Sequence, residues 1–108
     1  MAYERVVRNL TKEMVWVYVA TILKERNMYA YQLPREIRSR FGFDVARVTV
    51  YSVLYRMQRE GLVRSSKQNV VSGPSKRFYE LTDMGSEKLS AASDFIKKTL
   101  AALSAKPR

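Results

Sequence analysis

Across residues 47–63 the apolar positions recur with a helical period. Val50, Leu54 and Met57 fall at i, i+4 and i+7 and form one apolar stripe, with Val53 on its flank. A turn of about 100° per residue carries Val48, Ser52, Tyr55, Arg56 and Arg59 to the opposite face. Gly61 then offers a left-handed helix exit, and 62–67 alternates apolar and polar residues as a strand does. The segment 69–75 contains Gly73-Pro74 and predicts a turn, after which 76–81 reads as a second strand rich in cations and aromatics.

The flanking segments carry the same periodicity. Residues 11–26 predict a helix with Thr11 as N-cap, Glu13 in the first turn and Lys24 and Arg26 in the last. The run 15–19 is β-branched and aromatic and competes as a buried strand, but the end signals favour helix. Upstream, Tyr3, Val6, Val7 and Leu10 have helical spacing, so residues 1–10 are expected to form a short arm. Residues 31–41 predict a second helix, with Pro34 in its first turn, Leu33, Ile37 and Phe41 facing the core, Arg35, Arg38 and Arg40 largely in solvent, and Gly42 at the exit. Asp44, in the short connection that follows, is a candidate cap for the 47–60 helix. The final helix opens on Thr82 as N-cap and Asp83, then runs to about Ser104. Leu89, Ala92, Ile96 and Leu103 make a heptad-like seam that Phe95 and Leu100 broaden, longer than so small a domain can cover.

Charge adds a location to this pattern. The net charge is +10 over 108 residues. Residues 35–77 contribute +7 of it, against +2 before them and +1 after. Such an excess on one segment suits a polyanion, because each neutralised phosphate releases condensed counterions. The chain has no Cys and no His, so disulfides, thiolate metal sites and imidazole acid–base chemistry are out of reach. There is no glycine-rich phosphate cradle, and the ten acids are scattered. The reading is therefore of a non-enzyme without cofactor or metal. The longest apolar run, 14–20, is far short of the roughly 20 residues that cross a bilayer, and charges are scattered through the N-terminus. A cytoplasmic protein is expected.

Several short motifs resemble the PadR family of transcriptional regulators. The family's Thr-x-Tyr, then Arg, then Glu-Gly-Leu is present as Thr49-Val50-Tyr51, Arg56 and Glu60-Gly61-Leu62. A basic-aromatic strand running into Leu-Thr-x-x-Gly is present as Lys76-Arg77-Phe78-Tyr79-Glu80-Leu81-Thr82-Asp83-Met84-Gly85, and an upstream Tyr-x-Leu as Tyr31-Gln32-Leu33. The likeness covers roughly residues 10 to 100. Ala30 stands where the family has Gly, Ser52 where Pro follows the Tyr, and Gln58 where Glu is frequent.

The resemblance implies a mainly α fold with a small β wing: a winged helix-turn-helix over 11–82, a C-terminal dimerisation helix over 83–104 and a loose tail at 105–108. It implies a dimeric, sequence-specific repressor that places helix 46–60 in the major groove of an inverted-repeat operator and the wing 64–78 on the backbone or minor groove. The candidate DNA-binding residues are Arg47, Thr49, Tyr51, Ser52, Tyr55, Arg56, Arg59, Lys67, Lys76 and Arg77. In the family the residue matching Tyr51 lies near the DNA backbone; its structural alternative is a rim residue beside Val50 and Leu54. The candidate dimer interface is Trp16, Leu89, Ala92, Phe95, Ile96, Leu100 and Leu103. An aromatic effector between Trp16 and Phe95 is a further expectation. The competing reading is an architectural protein that coats DNA without reading sequence.

Overall fold

Burial settles the segment whose side chains argue for two structures. In the computed structural model, which describes residues 1–67 and 77–107, Val15–Glu25 is an α-helix (α2) despite its β-branched and aromatic start. Val15, Val19, Ala20, Ile22 and Leu23 are buried, and Trp16, Val17 and Tyr18 pack on the same core. Contact on several sides outweighs a helix-propensity cost of about 0.5 kcal/mol per β-branched residue.

The helix does not begin at Thr11. Ala2–Arg8 is already helical (α1), Asn9–Glu13 is a π turn, and the break falls at Met14. The Thr11 hydroxyl donates to the carbonyls of Val7 (2.8 Å) and Arg8 (3.3 Å) instead of capping anything. A threonine inside a continuing helix makes this back-bond, so the same residue type serves both positions. No residue of α1 is buried, so the expected arm is a projecting helix. The Tyr18 hydroxyl donates to the Leu10 carbonyl and ties the π turn to α2. The Tyr18 ring meets Phe41 and Phe43 at centroid separations of 4.5 and 5.2 Å.

A two-residue strand, Met28–Tyr29 (β1), and a 3-10 turn at Ala30–Gln32 lead into Leu33–Phe41 (α3). Pro34 sits in the first turn of α3, and Gly42 ends it at φ 81°. Leu33 and Ile37 are buried, whereas Arg38 and Arg40 are bound in ion pairs with Asp44 (2.9 Å) and Glu25 (2.8 Å). Asp44 is thereby corrected as a cap. The N-cap of Arg47–Arg59 (α4) is Ala46, with no side-chain bond, because Arg38 holds the Asp44 carboxylate.

Val50, Val53, Leu54 and Met57 carry α4 into the core. Its exit is a Schellman turn: Leu62 N–H donates to Met57 O (2.8 Å), Gly61 N–H donates to Gln58 O (3.1 Å), and Gly61 has φ 81°. Strands Val63–Lys67 (β2) and Arg77–Leu81 (β3) pair antiparallel with Ser65 opposite Tyr79. β1 adds to the other side of β3, with Met28 opposite Tyr79, so the sheet order is β1-β3-β2. Residues 68–76, including the expected turn at 69–75, lie outside the described residues.

The last helix, Asp83–Ser104 (α5), follows β3 and starts beside the Schellman turn. Thr82 caps it as expected, accepting from Gly85 N–H at 3.0 Å, and its hydroxyl also donates to Gly61 O at 2.6 Å. Thr82 N–H donates to Leu62 O at 3.0 Å. Gly85 is buried against this junction: a Cβ there would lie 2.1 Å from Leu62 O and 2.6 Å from Leu81 Cδ1. Among the described residues no helix is long and apolar enough to cross a membrane.

Tyr51 packs at the edge of the core. Its ring is half-buried against the core, as a rim residue is. Its hydroxyl oxygen is also buried, yet makes no hydrogen bond among the described residues.

Two stability changes of opposite sign follow. Gly85→Ala forces Leu62 and Leu81 apart and is expected to cost about 1–3 kcal/mol, read as a lower midpoint in urea. Tyr51→Phe removes an unsatisfied buried hydroxyl while keeping the ring, and is expected to raise stability by about 1 kcal/mol in the same assay.

Candidate nucleic-acid interface

The face of α4 turned away from the core is polar and open. Arg47, Val48, Ser52, Tyr55, Arg56 and Arg59 are all exposed, while Thr49 is half-buried. The same 3.6-residue period that sinks Val50, Leu54 and Met57 therefore presents these groups outward. Arg59 lies over the Tyr55 ring at 5.8 Å, which holds its guanidinium near the helix surface. A shallow depression on this face is bounded by Tyr51, Ser52, Tyr55 and Arg56.

The sheet closes one side of the helix. A cleft of about 460 Å³ runs between α4 and β3, lined by Tyr51, Tyr55, Gln58, Arg59, Arg77 and Tyr79. A polar relay crosses it: Arg77 Nη1 donates to Ser65 Oγ (3.4 Å), and Ser65 Oγ donates to Gln58 Oε1 (3.3 Å). The wing strands are thus joined to the helix by side chains as well as by the chain itself. Arg64 is occupied across the strand pair by Glu80 at 3.2 Å, whereas Arg77 faces the cleft together with Arg59 of α4. Burial pushes the Tyr79 hydroxyl above its ordinary pKa, partly opposed by the charge of Arg77. It therefore stays a neutral hydrogen-bonding group at neutral pH.

Of the expected DNA-binding residues, the fold brings Tyr51, Ser52, Tyr55, Arg56, Arg59 and Arg77 onto one continuous surface. Lys76 and the side chain of Lys67 lie outside the described residues. Gln58 and Ser65 were missed by sequence reasoning. Gln58 follows Tyr55 by three residues, so the helical period places it beside that face, but the Ser65 contact requires the fold of the wing. Two of the α3 arginines are less available than their exposure suggests, since Arg38 and Arg40 are ion-paired, whereas Arg35 has no ion pair among the described residues.

The seam on α5 divides. Leu89 is buried in its own chain's core and Ala92 is half-buried, whereas Phe95 (72% exposed), Leu100 (61%) and Leu103 (79%) have no cover, and Ile96 is less exposed. Tyr3, Val6 and Val7 on α1 and Leu10 in the π turn are likewise exposed. Trp16 is half-buried and lines a separate cleft in which Phe95 takes no part. Among the described residues no three His, Cys, Asp or Glu side chains converge as a metal site.

Comparison with known proteins agrees with this geometry. A PadR family transcription regulator from Clostridium difficile R20291 is 28% identical, with 83% of this chain covering 97% of that one at a TM-score of 0.70. A PadR family regulator from Eggerthella lenta shares the fold at 24% identity and a TM-score of 0.75, over 95% of this chain and 93% of its own. Bacillus subtilis PadR, whose structure is in complex with operator DNA, shares the fold at 16% identity and a TM-score of 0.65, over 86% of this chain and 60% of its own. Residues 19–91 match the transcriptional regulator PadR-like family, and this stretch runs from the middle of α2 through the wing strands into α5. A chain with that span and this winged helix belongs to the PadR-like family of transcriptional regulators.

Proposed function

We propose that the protein is a dimeric, sequence-specific repressor that acts in the cytoplasm on an inverted-repeat operator. The observation that carries the reading is the single surface formed by the outer face of α4 and Arg77 of β3. Arg56, Ser52 and Tyr55 sit where a helix in the major groove meets base edges, and Arg can take guanine bidentately there. Arg59, Arg77 and Tyr51 flank that strip and suit the sugar-phosphate backbone, with Arg47, Thr49, Lys67 and Lys76 completing the proposed footprint. Bacillus subtilis PadR, which shares the fold, is in complex with operator DNA, and this supports DNA as the partner.

Dimerisation supports the same reading. The uncovered apolar residues of α5 and α1 are the kind of surface that a second copy covers, α1 of one protomer lying on α5 of the other. Two α4 helices about 34 Å apart then meet successive major grooves, which is why the operator should be palindromic.

Selection of a randomised duplex library at about 0.15 M salt tests the proposal, because screening at that ionic strength trims nonspecific attraction. Enrichment of an inverted repeat is expected; uniform retention of every sequence would favour an architectural protein drawn to DNA by its +10 charge. On the selected operator Arg56→Ala is expected to cost about 1–3 kcal/mol and to relax preference at one base position. Arg77→Ala should weaken all sequences alike and lower the salt slope by about 1. Equal losses on operator and random DNA for Arg56→Ala would sink that division of labour. In sedimentation equilibrium, Leu100→Asp paired with Phe95→Asp should shift the dimer to monomer by placing two carboxylates on the apolar seam.

A further inference from the structure

The strand register decides what position 58 has to be. Ser65 of β2 is opposite Tyr79 of β3, and Arg77 lies two residues before Tyr79, on the same face of the ribbon. That face is turned inward, because Val63 and Tyr79 on it are buried. It brings the Arg77 guanidinium against Ser65, and Ser65 against Gln58 on α4.

An arginine has N–H donors and no acceptor, so Ser65 Oγ must accept from Arg77 and send its own proton onward. Residue 58 receives that proton and has to be an acceptor. The Gln58 amide is therefore fixed with Oε1 toward Ser65, and its NH2 group is left without a hydrogen bond among the described residues. A glutamate of the same length would accept equally well, but it would set a carboxylate two hydrogen bonds from the guanidinium. Elsewhere the fold does pair its arginines: Arg26, Arg38, Arg40 and Arg64 all have carboxylate partners. Arg77 has none among the described residues, and the cleft it enters is lined by tyrosines, Gln58 and Arg59, without an acid. Glu80 is taken by Arg64, and Glu60 lines a separate cavity.

We infer that Gln58 is a positioning residue for the wing: as a neutral acceptor it holds Arg77, through Ser65, in the cleft beside α4 and leaves the guanidinium its whole charge for a DNA phosphate. The inference rests on the proposal that α4 and Arg77 meet DNA. A guanidinium held in place before the encounter loses less rotamer freedom on binding, and an uncancelled charge releases a counterion from the phosphate it neutralises. Residue 58 thus tunes the wing from within α4. Its effect falls on the backbone contact, and so on every sequence alike.

The full chain and its variants are titrated against labelled operator and random duplexes by fluorescence anisotropy over a series of salt concentrations. Gln58→Glu is expected to weaken both duplexes about tenfold and to lower the salt slope by about 1, as Arg77→Ala does, without lowering the urea midpoint. Gln58→Met keeps the length and removes the acceptor. It should weaken both duplexes about fivefold at an unchanged slope, the effect of ordering one long side chain on binding. In the Arg77→Ala background Gln58→Met should lose nothing further, because the group it positions is gone. A residue that only props the fold would lower the urea midpoint and leave the slope where it was. An unchanged slope in Gln58→Glu would overturn the inference. So would an equal loss from Gln58→Met with and without Arg77, since Gln58 would then act on DNA by itself. A parent chain that binds no duplex would refute the DNA reading and the inference with it; a parent that binds while its variants stay uncoupled refutes the inference alone.

Discussion

The Leu62 carbonyl is the point on which three elements of this fold meet. It accepts from Thr82 N–H, lies within reach of the Thr82 hydroxyl, and leaves no space for a side chain at position 85. The left-handed turn at Gly61 aims it there, and the same turn ends α4 and starts β2. One small cluster of backbone groups therefore sets the angle between the exposed helix face, the strand pair beside it and the long helix behind it. Without Gly61 the exit is strained; without Gly85 α5 cannot approach. The Glu-Gly-Leu and Leu-Thr-x-x-Gly motifs, far apart in sequence, are the two halves of this one contact.

That geometry explains why the polar surface and the apolar surface are both usable. Leu89 and the first turns of α5 are held in the core, so the remainder of the helix extends past it with Phe95, Leu100 and Leu103 uncovered. The molecule is accordingly long, 62 Å by 30 Å by 22 Å. The reading face of α4 is held from behind by Val50, Leu54 and Met57, and from the side by the Gln58–Ser65–Arg77 relay. A helix so fixed keeps its side chains in register, as the proposed match to the spacing of base edges requires.

Much of this is legible in the sequence because it follows from periodicity or from glycine. The stripe of α4, the exits at Gly42 and Gly61, the Thr82 cap and the α5 span depend on neighbours within a turn, and the structure agrees with each. The failures share a cause, which is competition from outside the local window. Thr11 has a carbonyl to bond four residues back, so its hydroxyl cannot tell a cap from a helix interior. Asp44 would suit the start of α4, but a guanidinium six residues earlier takes it. β1 has only two residues, too few for any alternation to register, and exists because β3 offers a free edge. For the candidate surface on α4, residue types and the helix face are readable in the sequence, while the partner of Gln58 and the buried hydroxyl of Tyr51, unpartnered among the described residues, emerge only from tertiary packing.

The π turn between α1 and α2 has a consequence for how this chain can change over evolution. A π turn holds one residue more than an α turn, so it offsets the angular phase of what precedes it by about 100°. The exposed apolar side of α1, Tyr3, Val6 and Val7, therefore points in a direction set by the residue count between Asn9 and Glu13, independently of the core-facing side of α2. Loss or gain of a single residue there would swing the arm to a new compass bearing while leaving the core and the α4 face intact. The proposed dimer contact and the proposed DNA contact can in that way drift separately, one by insertion and deletion near the N-terminus and the other by substitution on α4.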